Sequence, residues 1–553
     1  MPNSALPDLW RAGSLNATMK DQRLQIADIV RHVDDATLGT LNVPEFQRKY
    51  VWRASKVVDL VDSLWRGYPI GTLLLWESTY DSPQTALGTQ SGKLWIVDGQ
   101  QRVTSLALIF GKKPYWWSDA AKWNKYYERY DVLVNVSKDK EDLEFSLSNP
   151  VRRKSKEWIS VRKVLTSANL SELAMEGSEK LGDPKRFAEV HEKLQSIKTI
   201  ETAQLYQIIV DHELEDVAEI FGRLNTAGTK IRESDIVIAL VAAKQQGWIR
   251  NKFNPFLKDL EVKGFEFDPG VVVRTLAIIG HGSARLRDVP QAFWNPSDDF
   301  DEHWRKTKDA ISSVIKNLME YGILSSEVLP SLNALIPVFV LRALFPKDFD
   351  FKRAFQWLIV ATRDGRYSGS AITALDQDAR QIRAQKSFAD AIAHLVSCLS
   401  APASFTPEDF LEEYADKFLR LMLYLVAFDA GAKDWINQEV RVGFDREDNE
   451  LNEGFKPEWH HFFPRKVVKD KYDDAQVDSI ANIVVLNERA NRSFSSKLPS
   501  QYLKEHGVKP DRLSEQAVPP DEYYDLEKFP DFLKRRAELL AQRATALLKK
   551  LGS

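Results

Sequence analysis

The chain has 553 residues, 44% hydrophobic and 28% charged, which is the balance of a folded globular protein and too long for one core. Its 76 Lys and Arg nearly match its 79 Asp and Glu, for a net charge of −3. No overall basic excess announces a polyanionic partner, though a local basic face on a neutral protein is enough to bind phosphates. One cysteine, Cys398, excludes a disulfide framework and a cysteine-ligated zinc site. The N-terminal stretch lacks the apolar segment of a signal peptide, and no uncharged apolar run reaches the ~18 residues of a membrane span. A cytoplasmic protein without a membrane partner is expected.

In chain order, "KVVDLVDSLWRG" has helical apolar spacing. "GTLLLWE", "KLWIVDG", "YDVLVNV", "DLEFSLS" and "LYQIIVD" read as short strands, and a helical piece follows near 181–200. This is an α+β pattern, assigned to a first domain over 1–240. Residues 241–400 read as a helical connecting region. "FDPGVVVRTLAIIG", "DAISSVIKNLMEYG" and "LNALIPVFVLRALF" carry its clearest patterns. A third domain, 401–553, opens with a predicted helix over "PEDFLEEYADKFLRLMLYLVAF" and closes with the amphipathic "FPDFLKRRAELLAQRATALLKKL". The Lys and Arg of that last helix are read as a solvated face. No internal repeat is present.

The stretch "WIVDGQQRVTSL" breaks a hydrophobic run with Asp98, Gly99, Gln100, Gln101 and Arg102 before apolar spacing resumes. A glycine at a strand-to-helix junction lets the backbone approach a ligand. A helix start favours anions, and an arginine fork suits phosphate. Residue types and spacing leave two readings open: a nucleotide-phosphate cradle without a Walker lysine, or a helix entrance with polar capping. "VPEFQRKYVW" adds Gln47 and Arg48 among apolar residues. "FGRLNTAGTKI" adds Asn225 and Thr226 in a turn-like segment.

These motifs, with "YPIGTLLLW" between them, resemble the DUF262 family, whose fold is ParB/sulfiredoxin-like. The resemblance implies an NTP site of unknown base preference. Asp98, Gly99, Gln100, Gln101 and Arg102 would form it, joined by Gln47 and Arg48 and more distantly by Asn225 and Thr226.

Near the other end, "EWHHFFPRK" carries His460 and His461, and "ANIVVLNERANRSFSSKLPSQYL" carries Asn482, Asn491, Arg492 and Lys497. Adjacent strand residues point to opposite faces, so the two histidines cannot serve in the same direction. A His pair in an ordinary hydrophobic segment and a ligand-plus-base pair both fit those residues alone. The downstream β-like "IVVL" and the turn toward Asn491 suit a ββα-metal layout.

The segment resembles the DUF1524 branch of HNH nucleases. That resemblance implies His461 as general base, His460 and Asn491 as ligands of Mg²⁺ or Mn²⁺, and Asn482 as a catalytic-site residue that braces the loop. Arg492 and Lys497 are candidates for DNA phosphates.

A DUF262 and a DUF1524 region in one chain resembles GmrSD-like type IV restriction enzymes. The resemblance implies an NTP-regulated DNA endonuclease acting on modified phage DNA. A nucleotide-gated DNA-binding protein with a dormant nuclease, and a toxin-like nuclease without modification dependence, stay open. So does oligomeric state, a homodimer included.

Overall fold

The computed structural model describes residues 19–34, 41–43, 50, 52–77, 94–114, 116–117, 120–212, 220, 233–245, 247–368, 371–436, 440–443, 457–494 and 497–553. The chain is mixed α/β and divides into two compact units, Met1–Phe253 and Asn254–Ser553.

The first unit is built on β1 (Met19–Gln25), α1 (Ile26–Val33), β2 (Leu41–Asn42), α2 (Ala54–Trp65), β3 (Leu73–Glu77), β4 (Leu94–Asp98), α3 (Gln100–Ile109) and α4 (Ala120–Arg129). It continues through β5 (Val132–Asn135), β6 (Glu144–Leu147), α5 (Pro150–Lys154), β7 (Trp158–Ser160), α6 (Val161–Thr166), α7 (Leu170–Lys180), α8 (Phe187–Lys198), β8 (Gln204–Val210) and α9 (Glu233–Lys244). Five strands form a mixed sheet in the order β1-β8-β3-β4-β2. The β8/β3 and β4/β2 pairs are parallel, and β1/β8 and β3/β4 are antiparallel.

Side chains alternate across the sheet, as the two-residue period of a strand requires. Leu73, Leu75 and Ile96 join the core that also holds Ile29 of α1, Val61 of α2 and Leu106 of α3. Leu74, Trp76, Trp95 and Val97 are buried on the opposite face. Both faces are therefore covered, which explains why these strands read as continuous apolar runs. β5, β6 and β7 form a second, antiparallel sheet with β5 in the middle.

All five strand-like segments seen in the sequence are strands. β1 carried no such signal because its side chains from Lys20 to Arg23 are exposed. Its pairing with β8 comes from seven backbone partners rather than from an apolar face.

Among its described residues the second unit is helical apart from one strand pair. Its longer helices are α10 (Asn254–Val262), α11 (Pro269–Gly280), α12 (Asp298–Glu320), α13 (Leu335–Leu344), α14 (Phe351–Arg363), α15 (Ala371–Ala384), α16 (Phe388–Ser397) and α17 (Lys417–Asp429). β9 (Glu458–His461), β10 (Ile483–Leu486), α18 (Glu488–Ser493), α19 (Pro499–Glu505) and α20 (Phe529–Gly552) complete it.

Capping explains several boundaries. Asp268 accepts from Gly270 N at 2.8 Å ahead of Pro269, and Ser297 accepts from Phe300 N at 3.1 Å. The single helix expected from Pro407 is instead a short 3₁₀ turn, Pro407–Phe410, separated from α17. Asp416 causes the restart by accepting from Leu419 N at 2.9 Å as the N-cap of α17.

The C-terminal helix corrects a second expectation. Arg536 of α20 is fully buried, not on the solvated face. It donates to Ala481 O at 2.8 Å and Gln516 O at 3.2 Å, and burial pulls its guanidinium down to about 9.

Candidate functional site

β9 and β10 pair antiparallel, with His460 opposite Val484 and His461 opposite Ile483. The chain between them does not turn tightly. It leaves through Phe462-Phe463-Pro464 and returns through the 3₁₀ turn Ile480–Asn482. Asn482, fully buried, ties this loop shut. Its Oδ1 accepts from Phe463 N at 2.9 Å, and its Nδ2 donates to Phe463 O at 3.1 Å and Val477 O at 2.9 Å.

β10 runs directly into α18. Asn487 precedes the helix, and its N–H donates to Asp434 Oδ2 at 3.0 Å while its side chain accepts from Gly443 N at 2.8 Å. Asp434 is itself buried, so the start of α18 is fixed by a charged acceptor inside the fold.

The two histidines diverge as strand alternation requires. His460 turns toward α18, where its Nδ1 lies 2.8 Å from Asn491 Oδ1. It is 8% exposed and packs beside the rings of Phe494 and Tyr502. Burial pulls its pKa down to about 4, the Asn491 bond opposing and His461 adding to the shift, so the ring is neutral at pH 7. Its Nε2 is buried without a partner among the described residues. His461 turns the other way. Its Nε2 lies 2.9 Å from Asp478 Oδ1, and its ring meets Tyr414 edge-on at 5.3 Å.

Asp478, which sequence reasoning missed, also pairs with Arg465, whose second nitrogen reaches Asp474 at 2.9 Å. A carboxylate only accepts, so His461 donates from Nε2, and in the neutral form of the ring the lone pair is on Nδ1. Asp478 lies four residues before Asn482, within the same loop. That position was visible in the sequence, but the pairing across the loop was not.

His460 and Asn491 are the side chains here that could hold a cation, and their 2.8 Å separation is that of a hydrogen bond. Among the described residues no group of three or more His, Cys, Asp and Glu converges on a metal position. Lys497 is ion-paired with Glu505 at 2.6 Å. The side chain of Arg492 lies outside the described residues.

In the first unit, Gly99 stands at the junction of β4 and α3 with φ +102°, a left-handed backbone that a side chain resists. A Cβ there would lie 2.3 Å from the buried Leu73 Cδ2. The first-turn amides of α3 point out of the helix end, as at any helix start. Gln100 and Gln101 are buried, and Gln100 Oε1 has no partner among the described residues.

Arg102 is engaged inside the protein. It donates to Asp98 at 3.0 Å and to Ile70 O at 3.0 Å, and burial lowers its pKa while Asp98 opposes the shift. A Cβ at Gly71 would lie 2.7 Å from its Nη1, so the glycine leaves room for the guanidinium. Gln47, Arg48, Asn225 and Thr226 lie outside the described residues.

The described helices include none long and apolar enough to cross a membrane. Comparison with known proteins finds "Uncharacterized protein MJ0686" of Methanocaldococcus jannaschii, 22% identical over 519 residues and spanning 86% of this chain and 85% of that protein. Residues 26–242, which include the β4–Gly99–α3 junction, match the family described as "GmrSD restriction endonuclease, N-terminal domain", so this part of the chain is similar to the N-terminal domain of such enzymes.

Proposed function

We propose that the protein is an NTP-regulated, divalent-metal-dependent DNA endonuclease of the modification-dependent type. In this reading a ParB/sulfiredoxin-like N-terminal domain binds the nucleotide and an HNH-type site in the second unit cuts. The N-terminal family match supports nuclease chemistry on DNA. The observation that carries the catalytic assignment is the approach of His460 to Asn491 across a ββα segment, with His461 held separately by Asp478.

His460 and Asn491 would hold Mg²⁺ or Mn²⁺. When bound, the ion supplies charge stabilisation for the scissile phosphate and leaving oxygen. His461 Nδ1 takes the proton from the attacking water, and Asp478 steadies the imidazolium that forms. Asn482 keeps β9 and the returning loop in register. Asp478 is a positioning residue, since it acts through His461.

At the other site the α3 amides and Gln100 Oε1, which has no partner among the described residues, are offered to an NTP. Arg102 braces Asp98 and the Ile70 carbonyl around the junction. Gln47, Arg48, Asn225 and Thr226 are assigned to the same site by the sequence resemblance.

A cleavage panel tests the function. Unmodified, methylated, glucosylated and phosphorothioate DNAs are each incubated with Mg²⁺, with and without ATP, GTP, UTP and CTP. One modification class should be cut preferentially, with a rate that changes on adding an NTP. Equal cutting of every DNA, indifferent to all four nucleotides, would favour the unregulated nuclease instead.

A further inference from the structure

Many surface cations of this protein have carboxylates three or four residues away in the chain. Arg66–Asp62 is at 2.9 Å, Arg186–Glu189 at 2.9 Å and Lys263–Asp259 at 2.7 Å. Arg305 reaches Glu302 and Asp309, each at 2.8 Å, and Arg535 reaches Glu538 at 2.8 Å. Such pairs are the usual fate of a solvated charge.

The stretch "PVRRKSKEWISVRK", residues 150–163, departs from this pattern. It holds six Lys and Arg against one Glu, in a chain whose charges otherwise nearly balance. It forms α5, β7 and the start of α6 on the small antiparallel sheet. Asn149 caps α5 by accepting from Arg152 N at 2.7 Å.

Arg152 lies 5.1 Å over the ring of Trp158 and donates to Leu147 O at 3.3 Å. Arg153 donates to the Ser148 hydroxyl and to Glu128 O at the end of α4. These acceptors are neutral, so the guanidinium groups are held in place with their charge uncompensated. Arg153, Lys154, Lys156 and Lys163 are exposed, as is Arg129 of α4. Among the described residues Lys154, Lys156, Lys163 and Arg129 make no ion pair.

Arg162 is of another kind. Buried 3.7 Å from Asp131, it donates to Leu108 O and Tyr127 O at 3.0 Å and serves the core. Glu128, Glu157 and Glu144 of the same small sheet are exposed carboxylates in the neighbourhood.

Crowded like charges repel one another, so the exposed members of this cluster lower the stability of the free protein. Their fit is to a polyanion. Fixed guanidinium forks bind phosphate oxygens in pairs, and flexible lysines follow a charged backbone. We propose that this basic face of the N-terminal unit docks the phosphodiester backbone of DNA without regard to sequence or modification. The proposal rests on the reading of DNA as substrate. It supplies what a modification sensor needs besides its sensing pocket, a general hold on the duplex.

Fluorescence anisotropy tests it, with unmodified duplex DNA across a salt series and the full-length His461→Ala chain as parent, so that the DNA stays uncut. The combined Arg153→Gln, Lys154→Gln, Lys156→Gln variant removes three exposed charges and spares Arg152 on Trp158. A control removes the same charge elsewhere through Lys263→Gln, Arg305→Gln, Arg535→Gln. The first triple should bind at least about tenfold more weakly at ~0.1 M salt and lose about 2 to 3 from the log–log salt slope, at ~0.9 per released phosphate contact. The control should keep the parent's slope. Equal behaviour of the two triples, or an unchanged slope in the first, overturns the docking face while leaving DNA as substrate. A parent that binds no DNA overturns both.

Discussion

His460 and His461 are neighbours in the chain, yet one is buried against Asn491 and the other is tied to Asp478. The alternation of a strand makes that division of labour, and it sets different expectations for their partners. Asp478→Asn presents an amide that can donate to Nε2 and leave the ring in the wrong tautomer. Cleavage should fall about 100-fold or more, in kcat rather than KM, with divalent-cation binding unchanged. A fall in cation affinity of the same size would make Asp478 a scaffold residue instead. Asn491→Ala removes one of the two proposed protein ligands, so Mn²⁺ binding followed by calorimetry should weaken at least about tenfold. An unaltered isotherm would contradict its assignment as a ligand. The types of these residues were legible in the sequence. Asp478 was not, because its relevance arises only when the loop after β9 closes on itself through Asn482.

Arg536 and Gly99 show what patterning reveals about elements and what it conceals. The buried positions of α20 include 529, 532, 533, 536, 537, 540 and 541, a regular helical stripe with Arg536 inside it. The sequence reading put it on the solvated face, after the general habit of arginine, which is exposed unless paired. Its guanidinium satisfies carbonyls that the loop around Ala481 and the turn at Gln516 leave without partners. Arg536→Ala orphans both and opens a cavity, and should lower stability by about 3 kcal/mol, seen as a reduced denaturant midpoint. Because Ala481 adjoins Asn482, residual cleavage should fall as well. Gly99→Ala places a side chain on a left-handed backbone and against Leu73. It should cost at least about 2 kcal/mol and abolish NTP turnover, measured by phosphate release. Full turnover in a folded Gly99→Ala chain would remove this junction from the nucleotide site. The strands β3, β4, β5, β6 and β8 were legible from apolar runs. β1 and the break before α17 were not, since backbone pairing and one capping aspartate determine them.

At the scale of the whole molecule, the chain joins a GmrSD-like N-terminal region to a second unit in which a ββα segment sits among helices. Local motifs at both ends pointed to nucleotide and nuclease chemistry before any fold was known. The long-range pairings, 31 residues from His460 to Asn491 and 17 from His461 to Asp478, needed the fold. A nuclease that tolerates many sequences endangers its own host, so in the proposed function the nucleotide site serves restraint, and binding there would shift the chain between cutting and idle states. The account stands or falls on the chemistry of His461. Supercoiled plasmid carrying the preferred modification is incubated with Mg²⁺ and the activating NTP, using wild type and a folded His461→Ala chain. The account predicts nicked or linear DNA from the wild type only, and none from the variant at equal cation occupancy. Undiminished cutting by His461→Ala would contradict it.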